Sequence, residues 1–310
     1  ALFGGYIADR VIGYQRSILL GAIFMAAGLF CISVPNQDIF NLGLATMIVG
    51  NGMFKPNIST MVGKLYTTAD PRRDSGFTIF YMGINMGAMV APVFTQWLAE
   101  SIFGTSAMPS YKMVFMASGF GMLISLVWFF IGRRALKGIG APEAGSGNPM
   151  RVVWVALGCL CVIPLMYFLL TVGAEKLQIV LTVLFVGLAF MLMIEGIRNG
   201  KVARDRVIAM LLIFVFNILF WMFFEQAGSS FTFLADKIVN RDLGFWIFPT
   251  AYFQTVNSVA IIVFAPLIAA VWVYLARHNV NPSIPRKFGL GLLGNALAFG
   301  LLIFALSSLV

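Results

Sequence analysis

Between Gly50 and Pro92 the chain reads GNGMFKPNISTMVGKLYTTADPRRDSGFTIFYMGINMGAMVAP, two apolar helical runs, each interrupted by a residue that hydrocarbon rejects. Lys55 lies inside the first run, beside Pro56 and between Asn51 and Asn57. Asn85 lies inside the second, within Gly83-Ile84-Asn85-Met86-Gly87. A lysine at the centre of a membrane helix costs roughly 2.5–3.5 kcal/mol on insertion scales, so such residues face a bundle interior or a watery cavity. The basic link Asp70-Pro71-Arg72-Arg73-Asp74 assigns the ends it joins to the cytoplasmic side. The hairpin therefore reads as half of a solute pathway.

Composition agrees with a chain that lives in lipid. Hydrophobic residues make up 60% of it and charged residues 11%, outside the balance of a soluble domain. A net charge of +9 could indicate a nucleic-acid binder, but its distribution excludes that. Of the 21 Lys and Arg, sixteen fall in alternate links on the side of the Asp9–Arg16 turn, four fall on the other side, and Lys55 remains within the membrane. Cys31, Cys159 and Cys161 have no paired spacing and His278 is the single histidine, so neither a disulfide framework nor a metal site is expected.

Apolar runs of roughly 20 residues, enough to cross about 30 Å of hydrocarbon, predict an all-α polytopic membrane protein. The spans are placed at 17–34, 40–64, 76–98, 112–131, 151–172, 177–197, 206–234, 248–276 and 288–309, after the tail of an earlier helix at residues 2–8. Residues 1–131 form an expected N-terminal bundle and 132–150, rich in Gly, Pro and Ser, a flexible linker. Residues 151–205 form a lipid-facing two-helix hairpin almost free of polar groups, and 206–310 part of a C-terminal bundle.

In the run at 206–234, Asn217, Trp221, Glu225 and Ser229 recur every four residues and would share one helical stripe. A carboxyl group there could exchange a proton during a transport cycle. Asn257 adds an amide to the run at 248–276. Each residue also has a purely structural alternative. Lys55 can snorkel to the cytoplasmic interface, and Glu225 can sit near the outer surface. Asn85 and Asn257 can bond across helices, and Gly83 with Gly87 can mark close helix packing. Counted at 1.5 Å per residue from the cytoplasmic ends, Lys55 lies about 16 Å in and Glu225 nearer 30 Å. Whether the two meet stays open.

Three motifs carry a resemblance. Gly4-Gly5-Tyr6-Ile7-Ala8-Asp9-Arg10-Val11-Ile12-Gly13 resembles the loop between the second and third helices of the major facilitator superfamily. Phe54-Lys55-Pro56-Asn57, with Arg72-Arg73-Asp74 and Phe80-Tyr81-Met82-Gly83-Ile84-Asn85-Met86-Gly87, resembles the signature of that superfamily's bacterial proton-dependent oligopeptide transporters. Phe224-Glu225-Gln226-Ala227-Gly228-Ser229 resembles their seventh helix.

The resemblance implies two helical bundles with an extra hairpin between them, in a multi-pass protein of the cell inner membrane. It implies symport of di- and tripeptides with protons by alternating access, a proton gradient in place of any cofactor, and a monomer as the working unit. Lys55, Asn85, Trp221, Glu225 and Asn257 would bind substrate. Lys55 and Glu225 would couple the proton, and Asp9 with Arg10 would belong to a cytoplasmic packing motif or gate. No enzyme activity is implied, and no constellation of catalytic side chains is present. The family's first helix and last three helices have no counterpart, so the chain is expected to be truncated at both ends. Ser258 stands where the family commonly has proline. Two alternatives remain at this stage: a related carrier of a non-peptide solute such as nitrate or a drug-like molecule, and a peptide-sensing membrane receptor that does not transport.

Overall fold

The computed structural model describes residues 2–67, 73–105, 107–142, 148–278, 280 and 282–307. Asp70, Pro71 and Arg72 of the basic link, and residues 143–147 of the linker, lie outside the described residues. The chain folds into helices α1 (Leu2–Ile7), α2 (Tyr14–Ser33), α3 (Gln37–Lys64), α4 (Arg73–Trp97), α5 (Tyr111–Gly132), α6 (Pro149–Thr171), α7 (Ala174–Arg198), α8 (Lys201–Phe224), α9 (Ser230–Lys237), α10 (Phe253–Arg277) and α11 (Ile284–Ser307). Each expected span has its helix, with α8 and α9 sharing the run at 206–234. Among the described residues, seven helical stretches are long and apolar enough to cross a membrane by length and composition. The polar Asn41, Asn51, Lys55 and Asn57 keep α3 out of that group.

The described residues divide into two units, one of Ala1–Ile84 with Phe94–Ile179, the other of Asn85–Val93 with Val180–Val310. In the first, α2 and α3 form an antiparallel pair joined by Val34–Asn36, whose last residue caps α3 by accepting from the Asp38 and Ile39 amides at 2.9 and 3.1 Å. Their backbones touch. A Cβ built on Gly21 would lie 2.7 Å from the Gly50 carbonyl oxygen, and one on Gly28 would lie 2.7 Å from that of Gly43. Both pairs are two helical turns apart on each helix, so small residues line one seam along the antiparallel contact.

The remaining elements dock on this pair. Phe30 of α2 meets Phe120 of α5 edge to face at 5.2 Å between centroids, above Gly119. Short α1 lies on α3, where a Cβ at Gly4 would collide with the Gly52 carbonyl oxygen. Pro56 lacks the N–H that would have bonded that carbonyl, so the helix is locally open to a neighbour there. Asn57, 1% exposed, ties the two together by donating to Gly4 O at 3.0 Å and Met53 O at 2.7 Å. From the expected lipid-facing hairpin, α6 turns one stripe inward: Cys159 and Ile163 are buried in the α2–α3 core, and Tyr167 donates to Asp38 at 3.2 Å. Val152, Val155, Ala156, Met166 and Leu170 flank that stripe half-buried, while the opposite face of α6 and nearly all of α7 are exposed.

The first half of the linker is held by specific contacts. After a 3₁₀ turn at Arg133–Leu136, residues 137–142 lie against the start of α2, with Gln15 N donating to Gly140 O at 2.9 Å and Gln15 Nε2 to Ile139 O at 2.7 Å. Composition alone cannot distinguish a Gly-rich joint from a Gly-rich segment whose glycines permit left-handed turns. Gly138 and Gly140 take positive φ values of 85° and 77°, and Lys137 joins them at 47°.

In the second unit, α8 and α11 meet through aromatic rings, Phe220 with Phe288 at 6.4 Å and Phe223 with Phe299 at 5.2 Å. The segment 85–93 is held to α10 where Thr255 donates to Met89 O at 3.2 Å. Among the described residues, a Cβ on Gly83 or Gly87 would meet nothing within 4 Å.

Three outcomes are expected for the full-length protein in detergent. Gly43→Val should force α2 from α3 and cost about 1–3 kcal/mol, lowering the Tm read by circular dichroism by several degrees. Gly289→Ala, at a position with nothing near a built Cβ, should leave it unchanged. Asn57→Leu should remove the hydrogen bonds to Gly4 O of α1 and to Met53 O of α3 and cost about 1–3 kcal/mol, with a comparable fall in Tm. A Tm equal to the parent's in Gly43→Val would refute the backbone-contact reading.

Candidate functional site

Lys55 sits on an exposed face of α3, on the opposite side from Asn57, which is buried against α1. Ser59 donates to the Lys55 carbonyl at 3.2 Å and Thr60 to the Pro56 carbonyl at 2.9 Å, so hydroxyl groups line the turn that carries the lysine. Such back-bonding bends a helix slightly and helps it accommodate the proline. Among the described residues, Lys55 forms no ion pair. Asp9 and Arg10 occupy a single π-helical turn, Ala8–Ile12, and both are exposed. The hydroxyl of buried Tyr14 donates to Asp9, and the Lys64 ammonium lies 4.3 Å from the centre of the Tyr14 ring.

In the second unit the expected stripe is broken. Helix α8 ends at Phe224, and Glu225 opens a tighter 3₁₀ turn through Gly228 before α9 begins. A 3₁₀ turn advances about 120° per residue against about 100° in an α-helix, so Ser229 no longer follows Asn217, Trp221 and Glu225 on one line. Side chains heal the break. Gln254 of α10 donates to Ala227 O at 2.8 Å and to Thr232 Oγ1 at 2.9 Å, while Thr232 itself donates to Ala227 O at 2.8 Å. Ser230 donates to Gln226 Oε1 at 2.7 Å. Gln254 is thus a positioning residue for the turn that presents Glu225, and its sequence signal is an amide at the start of an apolar run.

Glu225 is exposed and, among the described residues, makes no ion pair or side-chain hydrogen bond. Trp221, also exposed, stands edge-on to Phe220 at 5.8 Å and Phe224 at 5.4 Å, in an aromatic group one turn before it. Asn85 is buried at 6% exposure.

Asn257 lines a different wall. It faces a cavity of about 550 Å³ bordered by Phe223, Phe224, Phe231, Gln254, Asn295 and Phe299 among others, and neither Trp221 nor Glu225 borders that space. The Asn295 Nδ2 is buried there without a hydrogen-bond partner among the described residues. A lone amide in the run at 288–309 is the signal that could have singled it out. The unit therefore presents Glu225 with Trp221 in one place and Asn257 with Asn295 in another. Among the described residues no group of three or more His, Cys, Asp or Glu could hold a metal ion.

The PTR2 profile, described as the POT family, matches residues 15–309. The chain is 31% identical over 98% of its length to an uncharacterized transporter, YclF, of Bacillus subtilis, covering 61% of that protein. It is 31% identical to the peptide transporter YePEPT of Yersinia enterocolitica, over 98% of this chain and 62% of that one. It is 32% identical to dipeptide and tripeptide permease B of Salmonella typhimurium, over 96% of this chain and 60% of that one. The chain thus spans about three fifths of the curated relatives it matches.

Among solved structures, it superposes on a peptide transporter POT in complex with alafosfalin with a TM-score of 0.76 at 31% identity, covering 96% of this chain and 61% of the other. A POT family transporter in complex with 5-aminolevulinic acid gives 0.77 at 28% identity, over 97% and 63%. The fold is that of these transporters, a major facilitator arrangement of membrane helices. With a family profile running through α2 to α11 and relatives above 30% identity along nearly its whole length, the chain belongs to the POT family of multi-pass membrane transporters.

Proposed function

We propose that the parent protein imports di- and tripeptides together with protons across the inner membrane, by alternating access and with one polypeptide as the working unit. The observation that carries the mechanism is a lysine within α3 and a glutamate at the 3₁₀ turn after apolar α8, Lys55 and Glu225, neither neutralised by an ion pair among the described residues. Ionisable groups so placed mark ion or substrate pathways, because lipid selects against any that do no work. The peptide part of the reading rests on the relatives named as peptide transporter and as dipeptide and tripeptide permease.

In this reading the cycle needs no covalent chemistry and no bound cofactor. Peptide and proton each bind one conformation better than the other and shift the balance between them. Lys55 attracts the peptide carboxylate, while Asn85 and Asn257 offer amides to peptide polar groups. Trp221, in its aromatic group, offers an apolar surface to a side chain. Glu225 carries the proton, and the 3₁₀ turn beneath it gives α8 a natural point of bending. Asp9 and Arg10 serve the cytoplasmic closure. A second reading, a non-peptide solute, is favoured by one observation: a relative's complex with 5-aminolevulinic acid.

Uptake of a labelled dipeptide by proteoliposomes holding the full-length parent, under an inward proton gradient, tests the proposal. Glu225→Gln and Lys55→Ala should each reduce gradient-driven accumulation at least tenfold, while peptide exchange without a gradient survives in one of them. Accumulation at the parent's level in both variants would overturn the coupling roles. Di- and tripeptides in excess should abolish uptake of the label. If 5-aminolevulinic acid or nitrate competes better than any peptide, the substrate class is wrong.

A further inference from the structure

The segment that leaves α5 does more than connect. Helix α2 begins at Tyr14 after Gly13, whose φ of 81° and missing side chain leave the first amides of the helix without a side-chain cap. The Gly140 carbonyl takes that place by accepting the Gln15 amide at 2.9 Å, and the Ile139 carbonyl accepts the Gln15 side chain at 2.7 Å. Gln15 is 9% exposed, so this donor pair is sheltered from competing water.

The fit is close on both sides. A Cβ on Gly13 would lie 2.6 Å from Pro142 N, and one on Gly140 would lie 3.1 Å from Met61 Sδ and 3.3 Å from Tyr14 Cβ. Short backbone bonds, Ile139 N to Leu136 O and Ala141 N to Gly138 O, both 2.9 Å, fold the segment onto itself. What it covers is the turn bearing Asp9, through Tyr14, whose hydroxyl bonds that carboxylate and whose ring receives Lys64.

We propose that residues 137–142 are a strap that holds the Asp9–Arg10 turn in its working position, with Gln15 as the clasp. Both ends of the contact lie in the same unit, so the strap moves with the turn and keeps it aimed. Gln15 touches no substrate in this scheme; it is a positioning residue acting through the turn. Its kinetic consequence rests on the transport reading above: loosening the clasp slows the conformational step and leaves peptide recognition alone.

The full-length protein in proteoliposomes decides this with two readouts. Trypsin cleavage within Arg133–Lys137 reports opening of the strap, because proteolysis of a transiently opened segment follows its open population. Gln15→Glu, which keeps the size and loses the side-chain donor, should raise that cleavage rate about fivefold to tenfold. Cleavage at Arg198–Lys201, remote from the strap in sequence, should stay at the parent's rate. The maximal uptake rate should fall at least threefold while the KM for dipeptide stays within twofold.

Gly140→Ala, which leaves Gln15 intact but strains a residue at φ 77°, should give the same pattern. Unchanged cleavage in both variants overturns the strap. Faster cleavage with an unchanged maximal rate overturns its role in transport. If the parent itself shows no gradient-driven uptake, the transport reading fails, and the cleavage comparison still decides the strap.

Discussion

Contact between helix backbones, made possible by hydrogen atoms where other residues carry side chains, holds the first unit together. Lipid tails are as apolar as leucine, so burying apolar surface gives two membrane helices little reason to associate. What remains is van der Waals contact and weak polar attraction, both of which need short distances. Gly21, Gly28, Gly43 and Gly50 provide them along the α2–α3 seam, and Gly4 repeats the device where α1 meets α3 at Gly52. The other docked elements then use larger groups: Phe30 and Phe120 for α5, and Cys159, Ile163 and Tyr167 for α6.

Polar side chains in this chain divide by what they repair. Asn57 and Gln254 satisfy backbone groups at irregular places, beside Pro56 in α3 and at the 3₁₀ turn after α8. The Gln15 side chain satisfies the Ile139 carbonyl, next to the Gly140 carbonyl that caps α2. Lys55 and Glu225 repair nothing among the described residues. That contrast separates a polar group held by the fold from one presented to something outside it. Both kinds cost free energy in hydrocarbon, but only the first recovers it within the fold.

The spans were legible because hydrocarbon thickness dictates their length. The run at 112–131 became α5 at Tyr111–Gly132, and the run at 151–172 became α6 at Pro149–Thr171. The break at Glu225–Gly228 was not legible, because Glu-Gln-Ala-Gly reads as continuous helix unless Gln254, 27 positions further on, is known to heal it. The strap was hidden for the same reason: its partner Gln15 lies 124 positions away. The inward stripe of α6 escaped because Cys159 and Ile163 are as apolar as the lipid-facing residues around them. Of the candidate residues, Lys55, Asn85, Glu225 and Asn257 stood out as polar groups in apolar runs. The placing of Asn257 with Asn295, apart from Glu225, needed three dimensions.

The glycine seam also acts as a seal. A water molecule needs roughly 10–15 Å³ of room and two or more polar partners. Where a carbonyl oxygen sits against a facing glycine, as Gly50 does on Gly21 and Gly43 on Gly28, the gap is filled and those oxygens stay committed to their own helices. At those two places a water has no room between α2 and α3. In a gradient-driven carrier of the kind proposed above, walls closed in this way, by the absence of side chains, would keep the stored energy from leaking.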